Sequence, residues 1–137
     1  MIVGIGSDLC DITRVAASIE RFGQRFIDRC FSAAEQEQAA TRVEQAPFYA
    51  RRYAAKEAMA KALKTGIGED AFLREIEVLS GPRRCPELRI SGRTLETMQA
   101  LAPAGHTVVA HLTMTDEPPM AQAFVVLEAR PDPAQPA

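Results

Sequence analysis

The segment Ala54-Ala55-Lys56-Glu57-Ala58-Met59-Ala60-Lys61-Ala62 carries five alanines, and it constrains the fold more than any other stretch. Alanine is the strongest helix former. A helix with side chains this small can lie close to a neighbouring sheet. Pro47 opens the helical stretch, which runs through Leu63, and Gly66 is its C-terminal stop. The chain therefore contains one long helix that packs closely on a neighbour.

The remaining pattern supplies its surroundings. Ile2–Gly6 is a short apolar run that reads as a buried strand ending at Ser7-Asp8. Its two glycines allow close backbone approach. From Ile12 the apolar positions Ile12, Val15, Ala16, Ile19 and Phe22 follow helical spacing, with Asp11 as cap and Gly23 as stop. A short helical turn follows around Phe26 and Ile27. Ser32-Ala-Ala-Glu35 is a capping box opening a helix toward Val43. After residue 70 the period changes. Phe72–Leu79 and Glu87–Ile90 read as strands, with turn residues Ser80-Gly81-Pro82 between them. Thr94–Leu101 reads as a short helix broken by Pro103-Ala104-Gly105. Val108–Thr115 and Ala121–Glu128 form two strands joined through Asp116-Glu117-Pro118-Pro119. Helices followed by strands, without regular alternation, indicate an α+β class in which the helix packs on a small, mainly antiparallel sheet. We expect one domain over residues 1–129 and a disordered tail over 130–137.

Composition narrows the function classes. Of 137 residues, 47% are hydrophobic and 25% charged, with a formal charge of −2, as in an ordinary globular domain. Three cysteines, Cys10, Cys30 and Cys85, make neither a disulfide framework nor a zinc spacing, and a cytoplasmic setting is expected. No apolar run approaches the roughly 20 residues of a membrane span. Eight aromatics without tryptophan leave little for base stacking, so neither nucleic acid nor membrane is expected as a partner.

The chemistry concentrates in two places. Gly4-Ile5-Gly6-Ser7-Asp8 lacks the third glycine of a dinucleotide fingerprint and the Gly-Lys-Ser/Thr of a P-loop. It leaves Asp8 just past a strand end, where it can hold a metal or cap a helix. On the long helix Glu57 and Lys61 lie on one face, with Tyr53 a turn earlier and Lys64 nearby. Between Arg42 and Lys64 six basic residues (Arg42, Arg51, Arg52, Lys56, Lys61, Lys64) face two acids, Glu44 and Glu57. One acid among cations suits a metal bridging to phosphate, the carboxylate holding Mg²⁺ and the cations the anionic oxygens. The same residues also fit an exposed face with an ion pair worth about 0.2–0.5 kcal/mol. Thr65-Gly66-Ile67-Gly68 is a helix stop whose amides could face a phosphate. His111 sits on a strand with Val109, Thr113 and Thr115, as a structural or ligand-contacting residue. Arg14, Arg21, Arg25 and Arg29 form a basic stripe if helix continues across Gly23. It is either a solvated face or a docking surface for an acidic partner.

Together these motifs resemble the short 4′-phosphopantetheinyl transferase family of holo-acyl-carrier-protein synthases. Gly6-Ser7-Asp8 matches its N-terminal Gly-x-Asp. Arg52-Tyr53-Ala54-Ala55-Lys56-Glu57-Ala58-Met59-Ala60-Lys61-Ala62 matches its helix motif, with Tyr53 for the usual phenylalanine. Arg25-Phe26, Ser32-x-x-Glu35, Thr65-Gly66-Ile67-Gly68 and Ala110-His111-Leu112-Thr113 with Ala121-Gln122-Ala123 extend the likeness over roughly residues 2–129. Arg84-Cys85-Pro86 stands where Gly-Lys-Pro is usual. The resemblance implies transfer of phosphopantetheine from coenzyme A to a serine of apo acyl carrier protein, with adenosine 3′,5′-bisphosphate leaving, in support of fatty acid biosynthesis. It implies Mg²⁺ on Asp8 and Glu57, and charge neutralisation by Lys61, with Lys64 and Arg52 as further candidates. Arg52, Lys61, Lys64, Thr65, Gly66 and His111 become the expected coenzyme contacts, and Arg14, Arg21 and Arg25 the expected carrier contacts. A metal-ordered water, Glu57 or Asp8 could take the serine proton. The family is typically a homotrimer with active sites at subunit interfaces. The residues alone would also suit a Mg²⁺-dependent pyrophosphate hydrolase, or a binding module that uses the basic helix.

Overall fold

The computed structural model describes residues 1–134. Strand β1 (Ile2–Asp11) leads into helices α1 (Ile12–Phe22), α2 (Gln24–Cys30), α3 (Ala33–Ala39) and α4 (Gln45–Ala62). Then come β2 (Ile76–Ser80), β3 (Pro86–Ile90), α5 (Gly92–Gln99), β4 (His106–Glu117) and β5 (Met120–Pro131). A short 3₁₀ turn, Leu73–Glu75, precedes β2, and a tight turn over Pro82–Arg84, with positive φ at Arg83 and Arg84, follows it. The strands form an antiparallel sheet in the order β1-β5-β4 and a separate β2-β3 hairpin. This is the expected α+β arrangement.

Helix α4 is the centre of the molecule. Eleven of its eighteen residues are buried, which marks a helix enclosed by other elements rather than one resting on a surface. Pro47 lies in its first turn, where a missing N–H leaves no helical bond unmade. On one side α4 presses against β1. A Cβ added at Gly6 would overlap the Ala58 carbonyl oxygen and stand 2.8 Å from the Ala62 nitrogen, and one at Gly4 would stand 3.1 Å from the Ala62 carbonyl carbon. Only glycine on the strand and alanine on the helix permit this spacing.

On its other side α4 is fastened to β2 and α3 by buried polar groups. The Lys56 ammonium donates at 2.7 Å to Glu35 Oε1 and to the carbonyls of Leu73 and Ile76, which uses all three of its donors. Glu35 accepts in turn from the amides of Ser32 and Val78. The capping box expected at Ser32 and Glu35 is present, so one carboxylate both caps α3 and neutralises the buried lysine. Arg52 donates to the carbonyl of Val78 and to Ser80 Oγ, both at 3.2 Å, with its guanidinium 3.5 Å from the centre of the Phe48 ring.

Several expected boundaries move. β1 continues past Gly6 to Asp11, because Ser7, Asp8, Leu9 and Cys10 all pair with β5. Asp8 is therefore a mid-strand residue, not one beyond the strand end. The strand expected from Phe72 starts only at Ile76, after a 3₁₀ turn. The helix expected to reach Val43 ends at Ala39. β5 runs to Pro131, past the expected domain edge at 129, and the Asp132 amide donates to Gly105. Residues 135–137 of the expected tail lie outside the described residues.

Candidate active site

Strand alternation decides what faces α4. Gly4, Gly6, Asp8 and Cys10 sit opposite Leu127, Val125, Ala123 and Ala121 on β5, on the sheet face that carries the helix. Asp8 thus points toward α4 two residues after the glycine that allows the close approach. From α4, Glu57 reaches the same place. Asp8 and Glu57 both line a cavity of about 320 Å³, whose wall also includes Cys10, Arg14, Phe26 and Tyr53. Lys61, one turn after Glu57, closes the group: its Nζ lies 3.1 Å from Asp8 Oδ1 and 3.0 Å from the Ser7 carbonyl. The lysine side chain is 56% exposed and that of Asp8 18%, so the cation stands at the rim and the carboxylate deeper.

The surroundings of the cavity are partly apolar, and its neutral acids feel it. Burial, then the charge of Asp8, pushes the Cys10 thiol up to about 11. Burial, then the charge of Glu57, pushes the Tyr53 phenol up to about 12. Asp11, also on the wall, is already committed as the α1 cap, accepting from the Thr13 amide and hydroxyl.

The other expected site residues scatter. Lys56 and Arg52, counted as available cations from sequence, are buried and bonded inside the protein. Burial lowers both, the Arg52 guanidinium to about 10. Arg52 nevertheless lines a second cavity, of about 310 Å³, with Arg42, Arg51 and Arg84. Three of the four amides of the Thr65-Gly66-Ile67-Gly68 loop are engaged within the protein. Those of Thr65 and Gly66 both bond the Ala60 carbonyl and end α4, and that of Gly68 bonds Ala71. The side chains of Lys64 and Thr65 stay exposed.

His111 lies on the opposite sheet face from Asp8. It stands across from Val126 and meets Glu128 at 2.8 Å, away from the carboxylate cavity. Hydrogen bonds from Arg130, then from His111, hold Glu128 down at about 2. The arginine stripe is not continuous, because Gly23 (φ 58) breaks it. Arg14 and Arg21 ride on α1, and Arg14 reaches the carboxylate cavity. Arg25 and Arg29 ride on α2 and, with Phe22 and Phe26, line a neighbouring groove of about 260 Å³. Phe26 belongs to both hollows. Cys10 was not anticipated in the wall, although its place two residues from Asp8 on one strand is the signal that finds it.

Two carboxylates on one wall, a lysine beside them and room for an anion suit Mg²⁺. That ion is commonly held by one or two carboxylates and completed by phosphate oxygens and water. Among the described residues no group of three or more His, Cys, Asp or Glu is placed to hold a metal ion.

Known proteins resemble this chain in sequence and in fold. Residues 4–113 match the family model of the 4′-phosphopantetheinyl transferase superfamily. A holo-[acyl-carrier-protein] synthase of Methylobacterium nodulans is 52% identical over 132 residues, covering 96% of this chain and all of that one. The crystal structure of the holo-[acyl-carrier-protein] synthase from Neisseria meningitidis superposes with a TM-score of 0.83 at 31% identity, over 93% of this chain and 99% of that one. The Bacillus anthracis enzyme, solved in complex with CoA (3′,5′-ADP), superposes at 0.74 with 32% identity, over 93% and 96%.

Proposed function

The chain belongs to the 4′-phosphopantetheinyl transferase superfamily, and from that premise we propose how its residues carry the reaction. It is an enzyme of the holo-[acyl-carrier-protein] synthase kind. The 4′-phosphopantetheine arm of coenzyme A passes to a serine hydroxyl of apo acyl carrier protein. The serine hydroxyl gives up its proton, to water, Asp8 or Glu57, as its oxygen bonds to the β-phosphorus; the bond from that phosphorus to the bridging oxygen breaks, and adenosine 3′,5′-bisphosphate leaves. The product carrier serves fatty acid biosynthesis.

The observation that carries the residue assignment is the meeting of Asp8 and Glu57 on one cavity wall with Lys61 against Asp8. A pyrophosphate needs charge neutralisation and in-line positioning more than covalent help. Asp8 and Glu57 would hold Mg²⁺, which when bound neutralises charge on the phosphate oxygens. Lys61, at the rim, is free to turn its ammonium from Asp8 to an incoming phosphoryl oxygen. Coenzyme A carries a second anionic group, the 3′-phosphate. The second cavity suits it, since Arg52 and three further arginines line it. Lys64 and Thr65, exposed at the end of α4, are available to the same ligand.

The carrier serine must reach the cavity from solvent. The groove of Arg25, Arg29, Phe22 and Phe26 adjoins it through Phe26, which favours docking of an acidic, partly apolar carrier surface there, with Arg14 and Arg21 contributing from α1. The outer face of the three-stranded sheet bears Ile5, Leu9 and Phe124, exposed by 60%, 63% and 41%. A homotrimer would cover this apolar face and would bring His111 toward a neighbouring subunit's site. Among the described residues no helix is long and apolar enough to cross a membrane, and we place the enzyme in the cytoplasm.

The test is to incubate the protein with coenzyme A, Mg²⁺ and an apo acyl carrier protein and to weigh the carrier. A gain of one phosphopantetheine is expected, lost with EDTA and lost in Asp8→Ala and Glu57→Ala with fold and oligomer intact. Full activity in Glu57→Ala would overturn the residue assignment.

A further inference from the structure

We infer that Tyr53 is a positioning residue of the transfer site, its phenol hydroxyl placed to donate to the Glu57 carboxylate and so to fix how that carboxylate faces Asp8. The inference rests on the reading that Asp8 and Glu57 are the metal pair.

Four observations carry it. Tyr53 and Glu57 are four residues apart on α4, the spacing at which helical side chains meet. Both line the carboxylate cavity. The Tyr53 ring is half-buried and packs against the hydrophobic core, so the position of its hydroxyl is set by packing, with only two side-chain torsions to fix. Finally, the two carboxylates differ in support. Asp8 holds Lys61 at 3.1 Å, whereas among the described residues Glu57 takes part in no ion pair. A glutamate has one more torsion than an aspartate and loses more freedom when a ligand fixes it. A phenol is a hydroxyl donor at neutral pH, and a carboxylate has two oxygens. One can accept from Tyr53 while the other stays open toward Asp8. Partners that orient a ligating carboxylate in this way tune metal affinity.

This role belongs to the hydroxyl and not to the ring, so Tyr53→Phe isolates it while keeping the packing. Mn²⁺ is titrated into the full-length protein with saturating coenzyme A, free Mn²⁺ is read by electron paramagnetic resonance, and coenzyme A alone is the blank. Wild type is expected to bind Mn²⁺, and Glu57→Gln to lose most of that binding. Tyr53→Phe is expected to bind about tenfold more weakly at an unchanged melting temperature. On the Glu57→Gln background the same substitution is expected to add nothing, because its effect passes through Glu57. Wild-type affinity in Tyr53→Phe overturns the inference, as does an equal loss on the Glu57→Gln background. Equal Mn²⁺ binding by wild type and Glu57→Gln instead overturns the metal-pair reading beneath it.

Discussion

Replacing Gly6 by alanine tests whether the distance between β1 and α4 governs both stability and activity. The added Cβ would overlap the Ala58 carbonyl oxygen and stand 2.8 Å from the Ala62 nitrogen. An ordinary carbon–oxygen contact is about 3.3–3.6 Å. The obstructing atoms are backbone, so no rotamer change relieves them, and strand and helix must part by about 1 Å. Overpacking of this kind costs about 1–3 kcal/mol. At about 4 °C per kcal/mol for a domain of this size, the melting temperature should fall by roughly 4–12 °C. The same movement separates Asp8, two residues along the strand, from Glu57, which precedes Ala58. Misplacement by about 1 Å can cost about 10²-fold in rate. Thermal unfolding and mass-spectrometric transfer assays on Gly6→Ala measure both quantities. Gly4→Ala, which meets Ala62 one turn further from Glu57, should lose similar stability and less activity. A Gly6→Ala protein with unchanged melting temperature and rate would refute the reasoning, since it would mean that the helix does not rest on the strand at this spacing.

Other outcomes follow from the same geometry. Lys56→Met leaves the buried Glu35 carboxylate uncompensated and two carbonyls short of a donor, and should cost about 3–5 kcal/mol in urea unfolding. Lys61→Ala should lower kcat by about 10²–10³-fold, with thermal stability little changed because the lysine is more than half exposed. Glu128 is held at about 2 instead of its ordinary 4.5. Its folded form is the more acidic, so the stability it contributes is present above pH 4.5 and fades as pH falls toward 2. Carboxyl-carbon NMR should place its midpoint near that lower value and move it upward in Arg130→Ala. Arg21→Glu with Arg25→Glu should raise the KM for carrier protein at saturating coenzyme A, and an unchanged KM would remove the docking assignment.

Local chemistry made much of this legible. Asp11 caps α1 and Ser32 with Glu35 forms its capping box, because caps are written in adjacent residues. The alanine run and the paired glycines gave away the close helix–strand contact, and the matching motifs joined Asp8 to Glu57 across the chain. What stayed hidden depended on partners distant in sequence. Nothing near Lys56 announces that Glu35 and two carbonyls surround it, so it read as one more surface cation. The amides of Thr65 and Gly66 looked free until α4 claimed both for its last turn. Asp8 read as a residue past the strand because polar Ser7 and Asp8 interrupt the apolar run, although β5 pairs straight through them. The arginine stripe failed at one residue, Gly23, whose positive φ turns α2 away from the axis of α1.

Lys56 and Glu57 are adjacent, yet one is sealed in the interior and the other opens on the cavity. Successive side chains on a helix point about 100° apart. The Lys56 ammonium, locked to three oxygens at 2.7 Å, therefore acts as an indexing pin for the roll of α4 about its own axis. A smooth cylinder of alanines could spin between its neighbours at little cost. The pin, with Arg52 beside it, removes that freedom and sets the compass bearing of Glu57, so a charge that never meets solvent determines where that carboxylate points.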